Sequence, residues 1–281
     1  MKRKSFNLAA VILAIAIIPS CASSKKDNWE ISYSGDYMID TTGVSFNLRD
    51  FDAVQNDIAA DIVYTQGGSY DVSITGNEQY TSDLVAYVTP ERVLVLKKKE
   101  PSRGWQGKLT VRITAPQINR IKNNGVLFFA AKSLSVDKMT IDNRGSLKTD
   151  VTSMKCRTIC IENSGVLTQS GNLTAKETLT IENKGSLNFS GEIDAKAFTL
   201  KNSGVLKGKM KYRGEDATID NKGSGRIEFD CDCRKLWCHN SGVATITLSG
   251  TADETEVKST GVSKIDSTRL NRFSLTFYIQ E

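Results

Sequence analysis

Apolar and polar residues alternate in twos along most of this chain, and one short phrase interrupts the alternation at regular intervals. The phrase is an aliphatic residue, a polar residue, Asn, a polar residue, Gly, then Val or Ser. Its glycines are Gly125, Gly145, Gly165, Gly185, Gly204, Gly223, Gly242 and Gly261, so the steps are 20, 20, 20, 19, 19, 19 and 19 residues. The column before each turn reads Ile121, Ile141, Ile161, Ile181, Leu200, Ile219, Cys238 and Val257. Two residues earlier stand Met139, Ile159, Leu179, Phe198, Ala217 and Leu236. A helical repeat would place apolar residues three and four apart, so a period of two means strands. A spacing held over eight copies marks a solenoid in which each copy buries its apolar edge against the next. The pattern predicts an all-β chain folded as a parallel β-helix.

The turn chemistry agrees with that reading. Asn143 and Gly145, Asn163 and Gly165, Asn183 and Gly185, Asn202 and Gly204, Asn221 and Gly223, and Asn240 and Gly242 each combine two residues that tolerate positive φ and sharp reversals. Each phrase is expected to end one strand and begin the next. With Asn123, these asparagines would stack copy above copy, each amide bonding the next at about the strand spacing of ~4.8 Å. Ser259 breaks the column in the last copy, as a terminal repeat does. The residue after Gly alternates as Val126, Ser146, Val166, Ser186, Val205, Ser224 and Val243, and only Val262 departs from this. Either neighbouring coils pack Val over Ser, or the unit is a doublet.

Residues 1–20 have a basic head (Lys2, Arg3, Lys4) and an apolar run from Phe6 to Ile18, which reads as an export signal. Cys21 follows Ile18-Pro19-Ser20, a stretch that resembles a bacterial lipoprotein box. The resemblance implies lipidation of Cys21, with plain cleavage nearby as the alternative. Ala22 gives no inner-membrane retention signal, so the implied location is the outer membrane of a Gram-negative envelope, on either face. Residues 21–35 form a polar tether, 36–120 an N-terminal β region, 121–265 the repeats and 266–281 a closing strand with Phe273, Leu275, Phe277 and Ile279 on one side. The N-terminal region suits either leading coils with longer loops or a small antiparallel cap. Removing residues 1–20 takes three positive charges and no negative ones from the net +5, leaving +2. So even a balance does not indicate a nucleic-acid partner.

The runs Phe51-Asp52-Ala53-Val54, Gly67-Gly68-Ser69-Tyr70-Asp71-Val72-Ser73-Ile74, Leu94-Val95-Leu96 and Leu109-Thr110-Val111-Arg112-Ile113-Thr114-Ala115-Pro116, followed by eight Gly-centred turns, resemble the family described as "putative autotransporter adhesin head domain", or head GIN domain. The resemblance covers about residues 47–265. In that family the turn is usually Gly-Ser-Gly, whereas here it is Asn-Xaa-Gly, with Gly223-Ser224-Gly225 the nearest literal match. The resemblance implies a right-handed, pectin-lyase-like β-helix, turns grouped in pairs, a role in adhesion, and trimeric assembly.

Candidate chemistry is sparse. A polysaccharide-cleaving enzyme on such a helix needs convergent carboxylates or a base. The best carboxylates are Asp142, Glu162 and Glu182, stacked outward just before the Asn column. That column continues as Lys201, Asp220, His239 and Lys258, which reads better as a solvated face of mixed ion pairs. His239 is the single histidine, so no multi-histidine metal site can form. Cys231, Cys233 and Cys238, with Cys156, align with inward columns and are expected as buried free thiols; a disulfide or a zinc site are the alternatives. Cys160 falls in an outward column rich in Thr, and Trp237 in the same column could be an exposed aromatic platform or pack under neighbouring chain. The expectation is a non-catalytic envelope lipoprotein with no metal and no cofactor, binding host or envelope glycans or proteins through Asp142, Glu162, Glu182 and Trp237, and able to form a homo-oligomer. The alternatives are a polysaccharide-active enzyme and a structural assembly protein.

Overall fold

The computed structural model describes residues 41–46, 48–100 and 107–279, which lie in the compact unit Ile39–Glu281. The signal and tether readings, Cys21, Trp29 and Trp105 fall outside the described residues. The elements in chain order are β1 Thr41–Phe46, β2 Ala53–Asn56, β3 Ala59–Gln66, β4 Asp71–Asn77, a one-turn helix α1 Glu78–Thr81, β5 Leu84–Val88, β6 Val93–Lys98, β7 Leu109–Ala115 and β8 Arg120–Asn123. Then come the coils: β9 Val126–Asn143, β10 Ser146–Asn163, β11 Val166–Asn183, β12 Ser186–Asn202, β13 Val205–Asn221, β14 Ser224–Asn240, β15 Val243–Ser259 and β16 Ser263–Ile279.

From β9 onward each coil is one strand of 17 or 18 residues; β9 to β15 pair in parallel with the coil before and the coil after, and β16 with β15. The chain is a parallel β-solenoid. Strands end at Asn and restart after Gly, as the phrase predicts. Inward residues fill the interior: Ile141, Ile161, Ile181, Leu200, Ile219, Cys238 and Val257 are 0–1% exposed. A single coil has no second layer, so this column is buried only because coils stack. Phe198, Tyr212 and Phe229 bridge three coils with ring centroids 5.7–6.0 Å apart, and the Tyr212 hydroxyl reaches the Ala195 and Asp216 carbonyl oxygens at 2.9 Å.

The asparagine ladder is present and is one rung longer than the period shows. Nδ2 of each residue donates to Oδ1 of the next in the series Asn56, Asn123, Asn143, Asn163, Asn183, Asn202, Asn221 and Asn240, at 2.6–2.9 Å. Most amides also donate to the carbonyl of the turn glycine two residues on, as Asn183 does to Gly185 at 3.2 Å. These side chains are 0–2% exposed, so from Asn123 onward the ladder meets the polar requirement of a buried column within the chain itself, while the Asn56 Oδ1 at its end is buried without a hydrogen-bond partner among the described residues.

The turn glycines are required for a different reason from the one read in the sequence. None of them has φ in the left-handed region; the positive-φ glycines among the described residues are Gly171 and Gly250. Instead a Cβ at Gly145, Gly165, Gly185, Gly204, Gly223 or Gly242 would stand 2.0 Å from the carbonyl oxygen of the glycine one coil earlier. Close approach of stacked backbones, rather than φ freedom, excludes any side chain there.

The N-terminal part mixes two kinds of pairing. β2 lies parallel between β6 and β8, and β3 parallel between β7 and β9, so residues 53–66 form a leading coil that carries Asn56. β4 joins β7 and β1 antiparallel, and β5 joins β6 antiparallel. At the other end β16 continues the parallel register, pairing Ala244 with Ser263 through to Ser259 with Ile279.

Candidate functional site

Outward positions form straight columns because the coils are in register. Just before the turns two columns run side by side. One is Thr140, Cys160, Thr180, Thr199, Thr218, Trp237 and Glu256; the other is Asp142, Glu162, Glu182, Lys201, Asp220, His239 and Lys258. Asp142, Glu162 and Glu182 are therefore consecutive neighbours, and Trp237 lies in the adjacent column three coils beyond Glu182.

Most of the charges in this face are matched locally, Glu162 excepted among the described ion pairs. Arg144 reaches Asp142 at 3.4 Å, Lys201 reaches Glu182 at 3.1 Å, Lys222 reaches Asp220 at 3.6 Å, and Nδ1 of His239 stands 3.5 Å from Asp220. The Trp237 ring, half-buried, tilts against His239 with centroids 5.5 Å apart. The Lys258 ammonium at 2.8 Å, joined by the Trp237 N–H, holds the Glu256 carboxyl below its usual range. Burial, with Glu162 and Glu182 nearby, raises the Cys160 thiol, so it stays protonated rather than nucleophilic at neutral pH. The face offers hydroxyls and paired charges at strand spacing along a flat surface.

The remaining cysteines are inward and free: Cys156, Cys231, Cys233 and Cys238 are all buried. Burial pushes the Cys156 thiol up to about 11 and that of Cys238 to about 12. Among the described residues no group of three His, Cys, Asp or Glu side chains comes together to hold a metal ion.

Three features escape a reading of the sequence alone. In another outward column Asp137, Arg157 and Glu177 stack with Arg157 2.9 Å from each carboxylate; the alternation continues with Lys196 and Glu215 at 3.9 Å and, in the neighbouring column, Lys235 and Glu254 at 3.6 Å. Charge sign thus alternates coil by coil, in step with the Val and Ser column, and both readings of that column hold: Val packs over Ser, and the pattern repeats every two coils. Like charges one strand apart would repel, so the alternation stabilises the stack. The second feature is a groove of ≈ 470 Å³ lined by Lys209, Met210, Lys211, Glu228, Phe229 and Arg269, among others. Two of its cations, Lys209 and Lys211, belong to the row Lys207, Lys209, Lys211, Arg213, which alternates with buried residues in β13 and so reads as an amphipathic strand, not a basic run, while Arg269 comes from β16. The third is the turn corner itself, where Val126, Val166, Val205 and Val243 stand 52–58% exposed.

Over residues 50–205 and 193–277 the chain matches the family described as "Putative auto-transporter adhesin, head GIN domain". It is similar in fold to the crystal structure of a "putative adhesin" from Bacteroides fragilis: 20% identity, 80% of this chain and 96% of that one covered, TM-score 0.54. Structures of a "putative adhesin" from Parabacteroides merdae (17% identity, 86% and 96% covered, TM-score 0.40) and a "putative lipid binding protein" from Parabacteroides distasonis (16%, 85% and 96%, 0.42) are more distant. No curated protein matches the chain by sequence.

Proposed function

Because the chain belongs to the family described as "Putative auto-transporter adhesin, head GIN domain", we propose that it is a non-catalytic binding protein of the cell envelope, tethered by lipid at Cys21 and contacting glycans or proteins as an adhesin does. The observation that supports this most is the register of the outward columns. Side chains on seven successive coils repeat at the strand spacing, ~4.8 Å, on a backbone fixed by the buried asparagine ladder. Such a surface suits a repeating ligand, because one contact geometry recurs along its length without ordering cost at each site. The face carrying Asp142, Glu162, Glu182 and Trp237 is the contact surface in this reading. Asp142 and Glu182 are paired with neighbouring cations, and the three acids are strung along a column rather than gathered round one point, which favours recognition over acid–base chemistry.

A glycan array with the purified protein, run beside light scattering for the oligomeric state, tests the proposal. Saturable binding without product release, weakened by Trp237→Ala and by Glu162→Gln with Glu182→Gln, is the expected result. Cleavage of a bound glycan would sink the non-catalytic reading, and a defined trimer that binds nothing would shift the weight to an assembly role.

A further inference from the structure

The corner that carries the turns has a composition unlike the rest of the surface. Three outward columns meet there. Between Asn and Gly stand Asn124, Arg144, Ser164, Lys184, Ser203, Lys222, Ser241 and Thr260. After Gly stand Val126, Ser146, Val166, Ser186, Val205, Ser224, Val243 and Val262. Two residues further on stand Phe128, Lys148, Thr168, Asn188, Lys207, Arg226, Thr245 and Lys264. Backbone bonds such as Ser164 N to Asn143 O at 2.8 Å stack the first column, and strand pairing stacks the other two. No Asp or Glu occurs in any of the three columns, although a quarter of the whole chain is charged and nearly balanced.

We propose that this corner is a binding strip for a linear anionic glycan, laid along the solenoid axis. The proposal rests on the reading of the protein as a binder and adds a second surface and a ligand class to it. Charge complementarity supplies the first argument. Arg144 and Lys222 are tied to Asp142 and Asp220 at the strip's margin, but Lys184, Lys207 and Arg226 have no acidic partner among the described residues. Lys148 lies over the Phe128 ring at 5.5 Å, a contact that leaves its charge available.

Periodicity supplies the second argument. Val follows Gly where the preceding turn residue is Asn, Ser or Thr, and Ser follows Gly where it is Arg or Lys, so cation and valine alternate coil by coil up to Val243. Like groups therefore recur every two coils, ~9.6 Å apart, over a strip of roughly 34 Å. That spacing is close to the length of a disaccharide unit; along the strip Lys184 and the third-column Lys148, Lys207 and Arg226 offer cations for acid groups, the valines an apolar face for a sugar ring, and the Ser hydroxyls partners for its hydroxyls. A bilayer has no such axial period and would favour contiguous apolar surface, whereas here serines separate the valines. A single-stranded nucleic acid would want aromatic platforms, and Phe128 is the strip's one aromatic residue.

The test uses the full chain in mild detergent, with alginate and heparin as carboxylated and sulfated probes. Neutral dextran, single-stranded DNA and anionic phosphatidylglycerol vesicles serve as comparisons. The expected result is binding to the anionic glycans over dextran, falling with salt. Lys184→Gln, Lys207→Gln and Arg226→Gln together should weaken it about tenfold and flatten the salt dependence. Val166→Ser with Val205→Ser should weaken it less and leave the salt dependence unchanged. All five positions are exposed, so circular dichroism should match the wild type in every variant. Equal affinity of the triple variant for alginate and heparin overturns the strip, as does tighter binding of DNA or vesicles than of glycan. If the wild type binds a glycan that only the Trp237 and Glu162 substitutions disturb, the strip falls and the binding reading stands; if it binds none of the probes and no array glycan, both fall.

Discussion

Replacing Gly185 by Ala isolates the reason that the turn column is glycine. A Cβ there would stand 2.0 Å from the Gly165 carbonyl oxygen and 2.7 and 2.8 Å from the Ser164 carbonyl carbon and oxygen. Carbon and oxygen settle at about 3.3 Å or more, so the turn must open by roughly 1 Å against its neighbour. That movement stretches Ser186 N to Gly165 O (2.8 Å), Lys184 N to Asn163 O (2.7 Å) and the ladder bond from Asn163 to Asn183 (2.7 Å). Three weakened hydrogen bonds at about 1 kcal/mol each, with about 1–3 kcal/mol of overpacking strain, give an expected loss of about 4–6 kcal/mol. Urea unfolding followed by far-UV circular dichroism measures it, with the slope compared to confirm that the same transition is observed. Gly68, whose added Cβ would meet nothing within 4 Å, is the control, and Gly68→Ala should stay within about 0.5 kcal/mol of wild type. Gly185→Asn separates the two explanations. If φ freedom were the requirement, Asn would be milder than Ala; if collision is the cause, Asn is at least as damaging. A Gly185→Ala change within about 1 kcal/mol of wild type, or rescue by Asn, would refute the collision argument.

Asn183→Ala leaves the Asn202 acceptor unpaired inside the ladder, takes one acceptor from Asn163 and removes the donor to the Gly185 and Val205 carbonyl oxygens, and should cost about 3–5 kcal/mol in the same unfolding assay. Asn183→Asp places a carboxylate against the Asn202 oxygen; burial raises its folded pKa, so the variant should be less stable at pH 8 than at pH 5, where it gains the proton that bonds Asn202. Thiol labelling of the native chain should modify Cys160 before Cys156, Cys231, Cys233 and Cys238, which should react only on unfolding. Because the Cys160 thiol is raised, its rate should climb with pH above neutrality. Arg157, through hydrogen bonds above all, holds the Asp137 carboxyl below its usual range. That contribution is complete above pH 4 and fades as pH falls towards the lowered folded value, so the melting temperature of Arg157→Gln should show a shallower acid dependence than that of wild type.

The repeat, its strands and its ladder were legible because a solenoid is close to one-dimensional. The residue above any other is always 19 or 20 positions away, so Asn143 over Asn123 and Cys160 between Thr140 and Thr180 could be aligned by counting. The candidate acids Asp142, Glu162 and Glu182 fell into one column for the same reason. Counting failed at Asn56, which joins the ladder from 67 residues before Asn123 and has Ile58 where the later turns have Gly. It failed again at Lys207, Lys209, Lys211 and Arg213, since alternation hid a basic row that becomes visible only beside its neighbours in β12 and β14.

By itself the sequence determined the parallel coil, its 19–20-residue period, the inward and outward sides of every strand, and the hydrogen-bonded asparagine column. Each of these depends on contacts at a fixed offset, which composition and spacing encode directly. Tertiary structure alone decided that β4 and β5 pair antiparallel, that 2.0 Å backbone approaches rather than φ make the turn column glycine, and that three neighbouring columns combine into a strip without a single acid. Those outcomes depend on where the chain bends within a coil and on what lies beside a column rather than above it. Register shifts such as those between Asp150 and Ser153 alter that sideways geometry without altering the repeat length.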